Sequence, residues 1–193
     1  AAAQLTLSGL LLAFGCSQIV WGPLSDRFGR RPVLLTGLAL YTAASLGAAL
    51  APTMDLLIVW RIAQGAAMGA IVMCARAIVR DLYEGPQAQR LMSLVTLIFG
   101  VAPALAPVIG GWIHVALGWR AVFAFLALFG LVLVIASHLR LPETHAPENR
   151  VPFSLRELTT AAYRVISDRQ FLLLALAASC NFLGAFCYIS AAP

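Results

Sequence analysis

Six blocks of about twenty apolar residues, separated by polar stretches, decide what this chain can fold into. A helix needs about 20 apolar residues to cross about 30 Å of hydrocarbon. In lipid, every backbone N–H and C=O must find its partner within the spanning structure itself. The blocks at 4–24, 33–51, 56–79, 91–115, 120–140 and 171–191 have that length. Charged residues are 11% of the chain, against about 25% in soluble domains. A soluble bundle could not cover its surface with so few, and the blocks lack a charged face at helical spacing. The expected class is an all-α integral membrane protein in a lipid bilayer.

Charge then orients the spans. Asp26, Arg27, Arg30 and Arg31 lie in the first connection, and Arg80, Asp81, Glu84 and Arg90 in the third. Arg140, Arg150, Arg156, Arg164 and Arg169 fall in the long fifth one. The alternating connections, 51–55 and 114–119, hold no Lys or Arg. Lys and Arg accumulate on the cytoplasmic side, so the arginine-rich connections are expected there and the first span runs inward. A net charge of +5 invites a nucleic-acid partner, but the arginines are sorted by membrane side and no aromatic-interleaved basic patch exists. Cys16, Cys74, Cys180 and Cys187 all sit within apolar blocks and read as small packing residues, with no metal-ligand spacing. No metal or other cofactor is expected.

The long connection carries a capping-box spacing, Ser154 to Glu157, followed by Leu155, Leu158, Ala162 and Val165 near one helical face. It reads as an amphipathic helix along the cytoplasmic interface. The organisation expected is a transmembrane bundle over 1–140, a cytoplasmic linker over 141–170, and the start of a second bundle over 171–193. The chain reads as truncated at both ends.

Three segments hold candidate chemistry. The first is Gly22-Pro-Leu-Ser-Asp-Arg-Phe-Gly-Arg-Arg-Pro32, a short turn between antiparallel spans. Gly22 and Gly29 permit close approach and unusual dihedrals. Asp26 and Arg30 have the spacing of a helical ion pair, and Asp26 also suits the N-terminus of another helix. A lone arginine-rich loop would equally satisfy the charge rule. The second is Arg61, a charge inside a span, which defaults to a functional residue or else snorkels to the interface. Gln64, Gly65 and Met68 lie close to it in the sequence. The third is the span with Pro103, Pro107, Gly110 and Gly111, where Pro bends a helix and small residues let a neighbour approach. Asn181 is the amide of the last span and suits an interhelical hydrogen bond.

Taken together these strings resemble the major facilitator superfamily. The first matches its loop 2–3 signature, Arg61-Ile-Ala-Gln-Gly65 its helix 4 signature, Ala102 to Gly111 the antiporter signature of helix 5, and Leu141-Pro-Glu-Thr144 the exit from helix 6. Arg76 to Tyr83, Ala106 to Trp112 and Gly118 to Phe123 are similar to the Bcr/CflA group of bacterial drug-resistance transporters. One departure is Ala106-Pro107, where many antiporters have Gly-Pro. The likeness implies a partial bundle: five helices of an N-terminal half, the linker, and the first helix of a C-terminal half.

The resemblance implies a proton-coupled multidrug exporter of a bacterial inner membrane, a drug:proton antiporter and not an enzyme, monomeric when full length. Two halves would rock about a central site. It assigns Gly22, Asp26, Arg27, Gly29, Arg30, Arg31 and Asp81 to a conformational-switch loop, with Arg30 paired to Asp81 and Asp26 capping a helix of the other half. Arg61 and Gln64 take proton coupling, and Gly65, Met68 and Asn181 line the substrate path. A metabolite carrier, for an amino acid or sugar, is the alternative. An intramembrane enzyme lacks its catalytic set in the spans, and a receptor would not explain the signatures in order.

Overall fold

The computed structural model describes residues 2–145, 148, 150, 159–160, 163 and 166–191. The helices are α1 (Ala2–Phe28), α2 (Arg30–Ala49), α3 (Met54–Leu82), α4 (Gly85–Leu117), α5 (Trp119–Arg140) and α6 (Arg169–Ala191). The first five are each long and apolar enough to cross a membrane. The chain divides into two compact units, Ala1–Val151 and Pro152–Pro193, and α6 belongs to the second. Ser154, Leu155, Glu157, Leu158, Ala162 and Val165, which define the expected amphipathic helix, lie outside the described residues.

Every expected span is a helix, but several are longer than their apolar blocks. The 29 residues of α3 run about 43 Å at about 1.5 Å per residue, well beyond the hydrocarbon thickness. Hydropathy marks only the part that lipid would cover. Ser25, Asp26, Arg80 and Asp81 are polar yet compatible with helix, so α1 and α3 continue through them until a backbone breaker intervenes. Gly29, at φ 99°, separates α1 from α2 alone, and its N–H still donates to the Ser25 carbonyl at 3.1 Å. Gly118, at φ 84°, does the same between α4 and α5. Few residues other than Gly adopt such values at low cost. At the opposite end of α2, α3 starts on Thr53, whose hydroxyl accepts the Leu56 N–H at 3.3 Å, with Asp55 in the first turn.

The α3 helix is the centre of the first unit, flanked by α1 and α2, with α5 behind α2. Its small residues allow this. A Cβ on Gly65 would run into the backbone of Leu10, and one on Gly37 would come within 2.7 Å of Ala70 Cβ. Val33, Leu34, Leu38, Ala70, Cys74 and Ile78 form the packed core between α2 and α3. By contrast α4 buries none of its residues and leans chiefly on α5. Its Leu97, Val101 and Leu105 are exposed, as side chains facing lipid or another apolar surface are.

Candidate functional site

Antiparallel helices with short turns bring the first and third connections and the exit of α5 to one end of the first unit. There α2 begins immediately after Gly29, with no Ser, Thr, Asp or Asn in place to cap it. The first N–H groups of a helix have no partner within it. Glu143, just past the end of α5, supplies one. Its carboxylate accepts the Arg30 N–H at 2.9 Å, the Arg31 N–H at 3.3 Å and the His145 N–H at 3.0 Å. A negative group there is also favoured by the helix dipole. The same carboxylate occupies the space a side chain on Gly29 would need.

Arg30 is the hub of this end. It is buried, and its guanidinium donates to Asp26 at 2.6 Å, to Ser25 Oγ at 2.6 Å and, through Nε, to Asp81 at 3.1 Å. Ser25, itself buried, donates its hydroxyl hydrogen bond to the Gly22 carbonyl at 2.9 Å. Asp26 is about half exposed along its side chain (49%), Asp81 much less (23%), so the Asp81 contact is less screened by water. Thr144 Oγ1 reaches Asp81 at 3.5 Å, and Arg31 donates to the His138 carbonyl at 2.9 Å. Three helices and the exit of α5 are thereby tied together. Arg27 stays exposed, 5.1 Å over the Phe28 ring. Gly22 lies against Met73 of α3.

Arg61 stands apart from this cluster, on α3 about 10 Å in from Met54 at about 1.5 Å per residue. Its Nη1 donates to Gln64 Oε1 at 2.8 Å, and its guanidinium lies 5.6 Å from the Phe123 ring centroid. Gln64 Nε2 donates to Ser45 Oγ at 2.8 Å, and Ser45 donates to the Tyr41 carbonyl at 2.8 Å. Gln64 and Ser45 are fully buried. Arg61 is half-buried and held by an α2–α3 network.

The other expected site residues are scattered. Gly65 packs in the α1–α3 seam and is not on an open wall: its missing Cβ is what lets Leu10 approach. Met68, one turn on, is half-buried. Pro103 and Pro107 lie inside an unbroken α4, and a side chain on Gly110 or Gly111 would meet nothing within 4 Å. Asn181 falls within α6, but its side chain is outside the described residues. Among the described residues no group of three or more His, Cys, Asp or Glu is placed to hold a metal. Sequence reasoning missed Ser25, Ser45, Phe123 and the capping role of Glu143. The one signal for Glu143 was a helix start with no capping side chain of its own.

The whole chain, residues 1–193, matches the family model of the Major Facilitator Superfamily. The chain belongs to that family. Among its relatives, a bicyclomycin resistance protein homolog of Haemophilus influenzae is 32% identical over 97% of this chain and 47% of its own length. Multidrug resistance protein D of Escherichia coli is 36% identical over 81% of this chain and 41% of its own length. The chain thus spans about half the length of the curated relatives it matches. The crystal structure of the human organic anion transporter MFSD10 (TETRAN) superposes with a TM-score of 0.68 at 25% identity, over 80% of this chain and 36% of that one. Family membership and five helices long and apolar enough to cross a bilayer make this a multi-pass membrane protein.

Proposed function

We propose that this chain is part of a proton-coupled multidrug exporter, a drug:proton antiporter that works by alternating access. The observation that carries the proposal is Arg61, a half-buried arginine held within a span by Gln64. An arginine keeps its charge at any accessible pH, so it does not itself carry the proton. It holds or tunes a carboxylate, which releases or takes a proton as the site changes access. None of the spans 4–24, 33–51, 56–79, 91–115, 120–140 and 171–191 contains Asp or Glu, so that carboxylate comes from the substrate or from another part of the transporter. The names of the relatives, resistance to bicyclomycin and to multiple drugs, favour drugs as cargo over metabolites.

In this reading 1–140 is an N-terminal bundle, 141–170 a cytoplasmic linker and 171–193 the opening helix of a second bundle. The Arg30 cluster closes the cytoplasmic end, and half-exposed Asp26 offers a carboxylate to a helix of the second bundle. The test is chloramphenicol and bicyclomycin efflux from vesicles at several imposed pH gradients. In the complete transporter, Arg61→Ala is expected to keep drug binding but lose the response to the gradient, and Arg61→Lys to keep part of it. An Arg61→Ala variant that follows the gradient as wild type does would reduce Arg61 to a packing charge. Gradient-driven movement of an amino acid or sugar, with neither drug moved, would favour the metabolite carrier.

A further inference from the structure

The hydrogen bonds around Arg61 run in one direction, and that direction is set on another helix. A backbone carbonyl can only accept. The Tyr41 carbonyl therefore accepts the hydrogen bond of the Ser45 hydroxyl, at 2.8 Å. Ser45 Oγ in turn accepts from the Gln64 NH2, also at 2.8 Å, with the Tyr41 side chain close to both Ser45 and Gln64. The amide oxygen is then forced to the opposite side, where Arg61 Nη1 meets it at 2.8 Å. The reverse amide orientation would set NH2 against the guanidinium, donor facing donor. Gln64 and Ser45 are 1% and 0% exposed, so water does not relieve a wrong orientation.

We infer that Ser45 is a positioning residue for Arg61: through the Gln64 amide it fixes the plane and reach of the guanidinium over Phe123. The guanidinium carries five N–H donors. Among the described residues Gln64 is its hydrogen-bond acceptor, and the Phe123 ring lies against its face at 5.6 Å. Its other N–H groups remain available to a further acceptor. The group that suits them is a planar anion, a carboxylate of the substrate or of a neighbouring helix, which a fork of N–H groups grips at two points. Ser45 touches neither proton nor substrate and acts only through α3. The inference rests on the coupling role proposed for Arg61, yet its geometry can be tested without transport.

The first readout is modification of Arg61 by phenylglyoxal in membranes, followed by mass spectrometry of the α3 peptide. Ser45→Ala is expected to raise the modification rate about threefold to tenfold, the size of one lost hydrogen bond, and Ser45→Thr to restore it. In a Gln64→Ala background Ser45→Ala should add nothing, because the connection is already cut. The second readout is chloramphenicol-dependent proton movement in everted vesicles, where Ser45→Ala should weaken the response to the pH gradient and Ser45→Thr should recover it. An unchanged modification rate in Ser45→Ala, or an effect fully additive with Gln64→Ala, overturns the relay whatever transport does. A changed rate together with normal coupling in Arg61→Ala upholds the relay and instead overturns the proposed coupling role. Equal amounts of each variant in the membrane exclude misfolding as the cause.

Discussion

Asp81→Asn removes one of two carboxylates from a buried arginine, and its effect can be sized from the contacts. Opposite charges about 4 Å apart at an effective dielectric near 20 attract by about 4 kcal/mol. Desolvation and the hydrogen bonds each group would make with water offset most of that. What remains for a hydrogen bond to a charged group is about 1.5–3 kcal/mol. Asp81 keeps 23% of its side chain exposed, and Arg30 retains Asp26 and Ser25 after the change. A loss of about 1–2 kcal/mol is therefore expected, about 5- to 30-fold in any equilibrium that breaks the contact. Local opening of the α2–α3 packing is such an equilibrium, and Cys74 reports it. The thiol is fully buried beside Val33, Leu34 and Ile78, less than two turns from Asp81 along α3. With Cys16, Cys180 and Cys187 replaced by Ser, its alkylation by a membrane-permeant maleimide should be about 5- to 30-fold faster in Asp81→Asn than in the parent. The charge swap Arg30→Asp with Asp81→Arg should recover part of the protection, though not the share that belonged to Asp26. An alkylation rate unchanged by Asp81→Asn, or a swap no better than the worse single variant, would show that the contact contributes nothing to closure.

Gly29→Ala should cost about 1–3 kcal/mol through its positive φ alone, and its new methyl would also displace Glu143 from the start of α2. A melting temperature in detergent equal to that of the parent would refute both effects. For topology, a cysteine at Leu117, exposed at the α4–α5 turn, should react with a charged, impermeant maleimide in intact cells, whereas one at Asn149 should not. Labelling at Asn149 alone would reverse the orientation.

The helices were legible because lipid imposes a length, and a run of about 20 apolar residues meets it almost regardless of packing. Their ends were not. The polar turns that carry α1 to Phe28 and α3 to Leu82 look like loops to a hydropathy window, and only Gly29 and the Tyr83–Gly85 break reveal where the backbone turns. Within the site, the Asp26–Arg30 pair was readable because only four positions separate the two, although the break at Gly29 puts them on different helices. The Arg30–Asp81 pair came from family resemblance, since 51 residues separate them. Nothing in the local pattern links Arg30 to Glu143, 113 residues away, or Gln64 to Ser45, 19 away on another helix. A small residue such as Gly65 has no direction in one dimension. Whether it lines a path or seats a neighbouring backbone depends on which way α3 is turned, and that is decided by the packing of three helices together.

The single-residue break at Gly29 also governs how the chain tolerates changes in length. An inserted residue within a helix turns everything beyond it by about 100°, and a longer connection would ordinarily absorb that rotation. Here Arg30 is tied backward to Ser25 and Asp26 and sideways to Glu143 and Asp81 within one residue of the break. One added or deleted residue between Ser25 and Val33 would swing the α2 core face, Val33, Leu34 and Leu38, away from α3. Length variation in proteins built this way should therefore collect at the lightly tied turns, such as the one between α2 and α3, and be absent from this one.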